Sequence, residues 1–292
     1  MRLLGALLGF SLFAATSAPP VGIAPGPILA ATPSQYVTLD GARVHYKVVG
    51  RGKPTIVFLH GLGGDLNVWR EQVAALHTRA RLVLIDLPGH GLSDPPASYS
   101  MHGFARSVSA VLKATRDEHA IFVGHSLGAL VAREVDRYYP AHSRAIVSVE
   151  GMLQNPIPDA EKAKTFLDSF GGDDADARVG RFYDAMLTMA SPAVRDEVRA
   201  AAVATPRPVF IATLGAALMP EAWQDEKVSV PLYAIIARDP HTDDAYLQFV
   251  RSLGRDVTVD VIDGTDHFLM LDAAAGLNAR LEKWLTNHKW IR

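Results

Sequence analysis

Six short runs of mostly β-branched and other apolar residues constrain the fold of this chain more than any other feature. Each run is nearly continuous rather than alternating, as expected for strands that are buried on both faces of a sheet. The runs are Thr55–Leu59, Arg81–Asp86, Ala120–His125, Ala145–Glu150, Pro231–Ala237 and Val257–Ile262. About 20 to 35 residues separate most of them, which is room for one helix and two loops. The pattern therefore predicts an α/β fold in which helices flank a mostly parallel central sheet.

Two further strands are predicted ahead of these runs. Tyr36–Asp40 and Arg43–Val49 alternate polar and apolar residues on either side of Asp40-Gly41. An Asp-Gly pair between alternating segments is typical of a two-residue hairpin turn. We expect an antiparallel hairpin at the start of the sheet.

The sixth strand, Ala145–Glu150, is followed by 80 residues before the next one, far more than one crossover helix needs. Apolar residues recur in this gap at helical spacing, and Gly171-Gly172 offers a break between helices. They are Phe166, Phe170, Phe182, Met186, Met189, Phe210, Leu214 and Leu218. We therefore predict a helical lid over residues 152–228, inserted into a core domain formed by residues 35–151 and 229–292.

The first residues have the features of a targeting segment. Arg2 precedes the uncharged apolar run Leu3–Ala15, and Thr16–Ala18 supplies small residues for a cleavage site. Four prolines then oppose a helix, at positions 19, 20, 25 and 27. Residues 1–34 are predicted to be a signal peptide and a flexible leader, with an N-terminal core helix as the alternative. The first interpretation implies export to a periplasm or to the medium, without membrane association after cleavage.

Composition excludes several classes of function. The chain has no cysteine, so disulfides, thiolate metal sites and cysteine nucleophiles are absent. Its 29 basic and 31 acidic residues nearly balance, without a block of like charges. This argues against a nucleic-acid partner and against electrostatic binding to anionic membranes.

The sequence Gly124-His125-Ser126-Leu127-Gly128 lies directly after an apolar strand and directly before a helix-like stretch, 129–139. G-x-S-x-G in this context is the nucleophile elbow, a sharp turn that presents a serine hydroxyl at the edge of a sheet. The two glycines leave room for the turn. Ser126 is therefore the predicted nucleophile.

A second glycine-rich motif, His60-Gly61-Leu62-Gly63-Gly64, follows the strand Thr55–Leu59. Acyl transfer needs two donors where negative charge develops on the carbonyl oxygen, and backbone N–H groups can supply both. This predicts an oxyanion hole formed by the N–H groups of Leu62 and Leu127. For His60 we favour a hydrogen bond that shapes the loop over a catalytic role.

Four motifs, in this order along the chain, resemble the α/β-hydrolase superfamily. They are His60-Gly61, Asp86-Leu87-Pro88-Gly89-His90-Gly91-Leu92-Ser93-Asp94, Gly124-His125-Ser126-Leu127-Gly128 and Gly264-Thr265-Asp266-His267-Phe268. The resemblance covers Tyr36 to about Trp284 apart from the insertion. It implies that Pro88–Ser93 is a structural turn, so that Asp86 and His90 are not catalytic.

The general base predicted from this resemblance is His267. It follows the strand Val257–Ile262 and precedes the terminal helix, and the catalytic histidine comes last along the chain in this fold.

Two carboxylates compete for the role of the triad acid. Similar enzymes usually carry an aspartate just after the strand Pro231–Ala237, but Pro240 stands at that position and Asp239 lies one residue early. A subset of the superfamily, including some haloalkane dehalogenases and zearalenone-lactonase-like enzymes, is similar in taking its acid from the end of the sixth strand, where this chain has Glu150. We prefer Glu150, because triads are defined by geometry and role rather than by sequence position.

These residues predict a serine hydrolase that cleaves a carboxylic ester or lactone of a small, fairly apolar substrate through an acyl-enzyme on Ser126. The alternatives are a carbon–carbon bond hydrolase or perhydrolase with the same triad, and a ligand receptor with slow turnover. The chain has neither H-E-x-x-H nor the lysine of a phosphate loop, so we expect no metal and no cofactor.

Overall fold

A computed structural model of the chain describes residues 22–224, 227–240 and 242–291. The predicted signal sequence, apart from its leader, lies outside these ranges.

Eight strands form one sheet in the described residues, in the order β1-β2-β4-β3-β5-β6-β7-β8. The pairs β1–β2 and β2–β4 are antiparallel, and all other neighbours are parallel. The strands are β1 (Gln35–Leu39), β2 (Ala42–Val49), β3 (Thr55–Leu59), β4 (Arg81–Ile85), β5 (Ala120–His125), β6 (Ser143–Val149), β7 (Leu232–Ala237) and β8 (Val257–Ile262). The predicted mostly parallel sheet is confirmed.

The hairpin between β1 and β2 turns at Asp40 and Gly41, whose φ angles are 51° and 84°. Leu39 pairs with Ala42 across this two-residue loop. Positive φ at both central residues gives the turn a twist that matches that of the strands.

Helices cover both faces of the sheet. They are α1 (Pro27–Ala31), α2 (Arg70–Leu76), α3 (Met101–Thr115), α4 (Leu127–Tyr138), α5 (Ala160–Asp168), α6 (Ala175–Asp184), α7 (Pro192–Ala204), α8 (Arg207–Leu218), α9 (Asp244–Ser252), α10 (Leu269–Asp272) and α11 (Ala274–Asn287). Along β3, Ile56 and Phe58 enter the core on one face, while Val57 and Leu59 enter the core on the other. This burial on both faces explains why the strand is apolar throughout.

Four α-helices, α5 to α8, lie between β6 and β7, where the sequence predicts a helical insertion. Phe170 is at their centre, with its ring 5.1 to 5.6 Å from the rings of Phe166, Phe182 and Phe210. The insertion therefore contains an aromatic cluster, and this cluster is continuous with the hydrophobic core. In the described ranges no single helix is long and apolar enough to cross a bilayer, whereas α7 and α8 together meet that length and composition but bend by 97°.

The prediction of a flexible leader up to Ser34 is wrong for residues 22–34. Ile23 and Leu29 are buried in the core, and Pro27–Ala31 is helix α1. The N–H of Ile23 donates to Asp65, and Lys47 donates to the carbonyls of Leu29 and Thr32. Sequence reasoning missed this because prolines oppose long helices but permit a short one that begins at proline.

The Pro88–Ser93 loop is organised by Asp86, which is buried. Its carboxylate accepts hydrogen bonds from His45 Nδ1 at 2.7 Å, Leu66 N at 2.7 Å and Leu92 N at 2.9 Å. Burial opposes ionisation of Asp86, but the hydrogen bond from His45 and the nearby imidazoles lower its pKa overall. Asp86 therefore joins β2 and the loops after β3 and β4.

Asp65 lies next to this buried anion. Burial and the charge of Asp86 together raise the pKa of Asp65 to about 7. Its carboxylate accepts hydrogen bonds from Ile23 N and Asn67 N, and so holds the N-terminal arm, residues 22–34, on the core. In the folded protein the arm is thus bound to a carboxyl group that takes up a proton near neutral pH.

We expect Asp65→Asn to change the pH dependence of stability. Native Asp65 binds a proton as the pH falls through about 7, whereas an unfolded aspartate does so only near pH 4. As the pH falls from 8 to 5, the free energy of unfolding of wild type should therefore rise by about 1–3 kcal/mol relative to that of the variant. Urea unfolding of both proteins at the two pH values measures this, and an equal stability difference at both would contradict it.

Candidate active site

Four loops that leave the carboxyl ends of parallel strands carry the predicted site residues. Leu62 follows β3, Ser126 follows β5, Glu150 follows β6 and His267 follows β8. Because parallel strands end at one edge of the sheet, the fold brings together residues that are far apart in sequence.

Ser126 has a strained backbone, with φ 50° and ψ −118°. A Cβ on Gly124 would lie 2.4 Å from the Gly128 carbonyl carbon, and a Cβ on Gly128 would lie 2.2 Å from the Leu59 carbonyl oxygen. Neither position accepts a side chain without moving backbone. The two glycines of the motif are therefore needed for helix α4 to start directly behind the strand.

The predicted oxyanion donors are available. Leu127 is the first residue of α4, where a backbone N–H has no partner within the helix. Over the described ranges, neither this N–H nor that of Leu62 donates to another protein group. A helix N-terminus behind Ser126 also favours negative charge in front of it.

His60 shapes the loop that carries Leu62. Its Nδ1 donates to the Gly61 carbonyl at 2.7 Å, and its Nε2 accepts from Leu87 N at 2.9 Å. Complete burial lowers the pKa of His60, so that the ring is neutral and can fill both roles. These contacts agree with a structural role for His60.

The structure brings Glu150 to His267. Glu150 Oε2 lies 3.2 Å from His267 Nδ1, and Oε1 accepts a hydrogen bond from Ala237 N at 2.6 Å. The backbone of Glu150 has φ 47°, in the left-handed region that few non-glycine residues adopt. The other candidate, Asp239, accepts a hydrogen bond at 2.8 Å from the hydroxyl of Thr242, which lies in the same loop.

No hydrogen bond joins Ser126 Oγ to His267 within the part of the chain that the structure describes. Such contacts are commonly long in unliganded active sites and tighten when substrate binds. Ser126 is partly exposed at the surface of the elbow. The side chain of His267 is 18% exposed, so both groups are accessible to a ligand.

His125 contacts the His267 loop, a role that the sequence did not predict. Its Nε2 donates to the His267 carbonyl at 2.9 Å, and the two imidazole centroids are 4.7 Å apart. Burial, followed by proximity to His267, lowers the pKa of His125 well below its usual value, so the ring is neutral. The residue before the nucleophile thus supports the backbone of the predicted base.

Two residues join the insertion to the site, and sequence reasoning missed both roles. Asp266 accepts hydrogen bonds from Met189 N at 2.8 Å and Ala190 N at 2.9 Å, directly beside His267. Tyr183, on α6, donates its hydroxyl to the carbonyl of Leu62. Periodicity identifies the buried face of a helix but does not show which loop that face meets.

Two cavities border parts of this arrangement, and Ser126 lines neither of them. One, of about 850 Å³, is bordered by Glu150 and His267 and has apolar walls that include Met152, Tyr246 and Phe249. Another, of about 930 Å³, is bordered by the oxyanion loop, the Pro88–Ser93 loop, the N-terminal arm and helices α7 and α8. Both volumes suit small organic ligands.

Comparison with known proteins identifies relatives by sequence over part of their length. The chain is 39% identical over 125 residues to the dihydrolipoyllysine-residue acetyltransferase component of the acetoin cleaving system of Cupriavidus necator, covering 42% of this chain and 33% of that protein. It is 38% identical over 100 residues to the pimeloyl-[acyl-carrier protein] methyl ester esterase of Edwardsiella ictaluri, covering 34% of this chain and 37% of the esterase. The chain thus spans about a third of the length of these curated relatives.

Structural similarity extends over most of the chain. The enol-lactonase of Burkholderia xenovorans LB400 superposes with a TM-score of 0.72 at 21% identity, covering 86% of this chain and all of the lactonase. At this identity the similarity shows a common fold. A family model for the alpha/beta hydrolase fold matches residues 54–274, and the chain therefore belongs to the alpha/beta hydrolase family.

Proposed function

We propose that this protein is a serine hydrolase that cleaves a carboxylic ester or lactone of a small, fairly apolar substrate. The observation that carries the proposal is the placement of Ser126, His267 and Glu150 at one edge of the sheet. In this arrangement, His267 Nδ1 is hydrogen-bonded to the Glu150 carboxylate. A nucleophile, a base and an acid that orients the base are the parts of a triad.

In the proposed reaction, His267 Nε2 takes the proton of Ser126 Oγ while Oγ bonds to the carbonyl carbon. The oxygen of the tetrahedral intermediate lies at the N–H groups of Leu62 and Leu127. As the intermediate collapses, His267 returns the proton to the departing alkoxide and an acyl-enzyme remains. Water then loses a proton to His267 and attacks this ester, so that a carboxylic acid leaves and Ser126 regains its hydrogen.

The surroundings of the triad support an uncharged substrate. The cavity beside His267 has Met152, Leu153 and Phe249 in its wall. Tyr246 is also there, and its burial, with the nearby charges of Glu150 and Asp239, raises its pKa to about 12. The phenol therefore stays neutral. Among the described residues that line this cavity there is no lysine or arginine, so an anionic substrate group would approach Glu150 and Asp239 without a compensating cation.

The names of related proteins point in the same direction. Among them are a methyl ester esterase and an enol-lactonase, both of which act on carboxylic esters. Esters and lactones share the reacting group, and the choice between an open chain and a ring depends on the shape of the cavity.

The first test concerns the nucleophile. Ser126→Ala should lower kcat for 4-nitrophenyl butyrate by about 10³-fold or more, because a triad without its nucleophile retains only binding and oxyanion stabilisation. Ser148→Ala is a matched control, since its buried hydroxyl, among the described residues, has no hydrogen-bond partner. Near-normal turnover by a folded Ser126→Ala protein would refute the proposal.

The second test concerns the acid. Glu150→Gln keeps an oxygen for the Ala237 N–H but removes the charge that stabilises the imidazolium, so kcat should fall by up to about 10⁴-fold. Asp239→Asn is the comparison and should change kcat little. Circular dichroism checks the fold of both. A large loss confined to Asp239→Asn would move the acid to the loop after β7.

We also propose that the protein is exported after cleavage following Ala18. Cleavage near Ala31 would remove Ile23 and Leu29, which are part of the core. Mass spectrometry of protein expressed in a host with a secretion pathway should find a mature chain that begins at residue 19. A mature chain that retains Met1 would contradict export.

A further inference from the structure

Tyr183 provides a direct hydrogen bond between the insertion and the loop that carries Leu62. The residue lies on α6, is 2% exposed, and donates its hydroxyl to the Leu62 carbonyl. Burial raises its pKa, so the phenol remains protonated and acts as a donor.

The surroundings of this phenol leave it little freedom. Its ring centroid lies 6.2 Å from that of Phe268, the residue after His267, and 6.5 Å from that of Phe210 on α8. Gly63 contacts it from the loop side, where an added Cβ would lie 2.6 Å from the hydroxyl and 3.2 Å from the Cα of Ala202. The insertion therefore packs directly on the backbone of the loop.

Hydrogen bonds hold the backbone on both sides of Leu62. The carbonyl before the Leu62 N–H, that of Gly61, accepts hydrogen bonds from His60 Nδ1 at 2.7 Å and from Gly64 N at 3.3 Å. The carbonyl after it, that of Leu62 itself, accepts from Tyr183. The Leu62 N–H belongs to the first of these two planar peptides, and Tyr183 holds the second, so the backbone of Leu62 is held on both sides.

We propose that Tyr183 is a positioning residue for the oxyanion hole, through which the insertion holds the Leu62 N–H in the orientation that stabilises the transition state. The inference rests on the proposed ester hydrolysis. It gives the insertion a part in the chemical step, in addition to any effect on substrate access. A donor that must meet a developing charge loses most of its effect when it is misdirected, because electrostatic stabilisation depends on preorganised geometry.

The test compares two substitutions that each remove one phenolic hydroxyl. Tyr183→Phe should lower kcat for 4-nitrophenyl butyrate by about 10- to 100-fold with little change in KM, somewhat less than the loss of a complete oxyanion donor. Tyr233→Phe is the matched control, because Tyr233 is also buried and donates to Asp260 between β7 and β8. It should lower the thermal midpoint without a comparable loss of kcat.

A second measurement separates positioning from a general loss of structure. Phenylboronic acid forms a tetrahedral anionic adduct on a catalytic serine and so places an oxygen in the oxyanion hole. Its inhibition constant should rise in Tyr183→Phe in parallel with the loss of kcat/KM, and should stay unchanged in Tyr233→Phe. If folded Tyr183→Phe keeps wild-type kcat and boronate affinity, the inference is wrong.

If Tyr183→Phe does not fold, Tyr183→Met decides the matter, because its flexible apolar side chain can fill the same buried space but has no hydroxyl to donate to Leu62. It should show the same loss of kcat and boronate affinity, and wild-type values in it would overturn the inference. Failure of the proposed function is distinguishable, because wild type itself would then neither turn over the ester nor bind the boronate at Ser126.

Discussion

The close approach of helix α4 to strands β3 and β5 is the constraint on which the rest of the site depends. Gly128 touches the Leu59 carbonyl, and Gly124 touches the start of the helix. Ser126 lies at this contact with a strained backbone, and among the described residues the Leu127 N–H at the helix terminus donates to no protein group. One tight turn thus presents the Ser126 hydroxyl, the proposed oxyanion donor Leu127 N–H and, through His125, support for the His267 backbone.

The insertion is joined to the core by polar contacts rather than by apolar packing alone. Asp266 accepts hydrogen bonds from two backbone N–H groups of the insertion, and Tyr183 of the insertion donates a hydrogen bond to the Leu62 carbonyl. At its outer side, Glu197 on α7 forms a bidentate pair with Arg70, at 2.9 Å for both bonds, and accepts from Ala24 N at 2.7 Å. Since such charge-assisted bonds are directional, they fix the position of the insertion more narrowly than apolar contacts do. The contacts of Asp266 and Tyr183 lie beside His267 and Leu62. The position of the insertion and the geometry of the site are therefore coupled.

The arrangement around Glu150 shows why the acid of the proposed triad is difficult to identify from sequence. Glu150 and Asp239 both follow strands that end at the same edge, and their separation from His267 along the chain carries no geometric information. Their contacts in the folded protein distinguish them. The Glu150 carboxylate lies 3.2 Å from His267 Nδ1, while Asp239 accepts a hydrogen bond from Thr242 within its own loop.

Sequence alone determined the strands, the hairpin at Asp40-Gly41, the helical content of the insertion and the positions of Ser126, His267 and Leu62, because periodicity and turn chemistry are local properties. It was wrong about the leader: Ile23 and Leu29 pack in the apolar core, and Asp65, Lys47 and Glu197, all distant in sequence, bind the backbone of the arm. The roles of His125, Tyr183 and Asp266 depend on which loops meet at the sheet edge. Tertiary structure alone decided those contacts, since each is a hydrogen bond to a backbone group, which every residue carries and which leaves no signature in sequence.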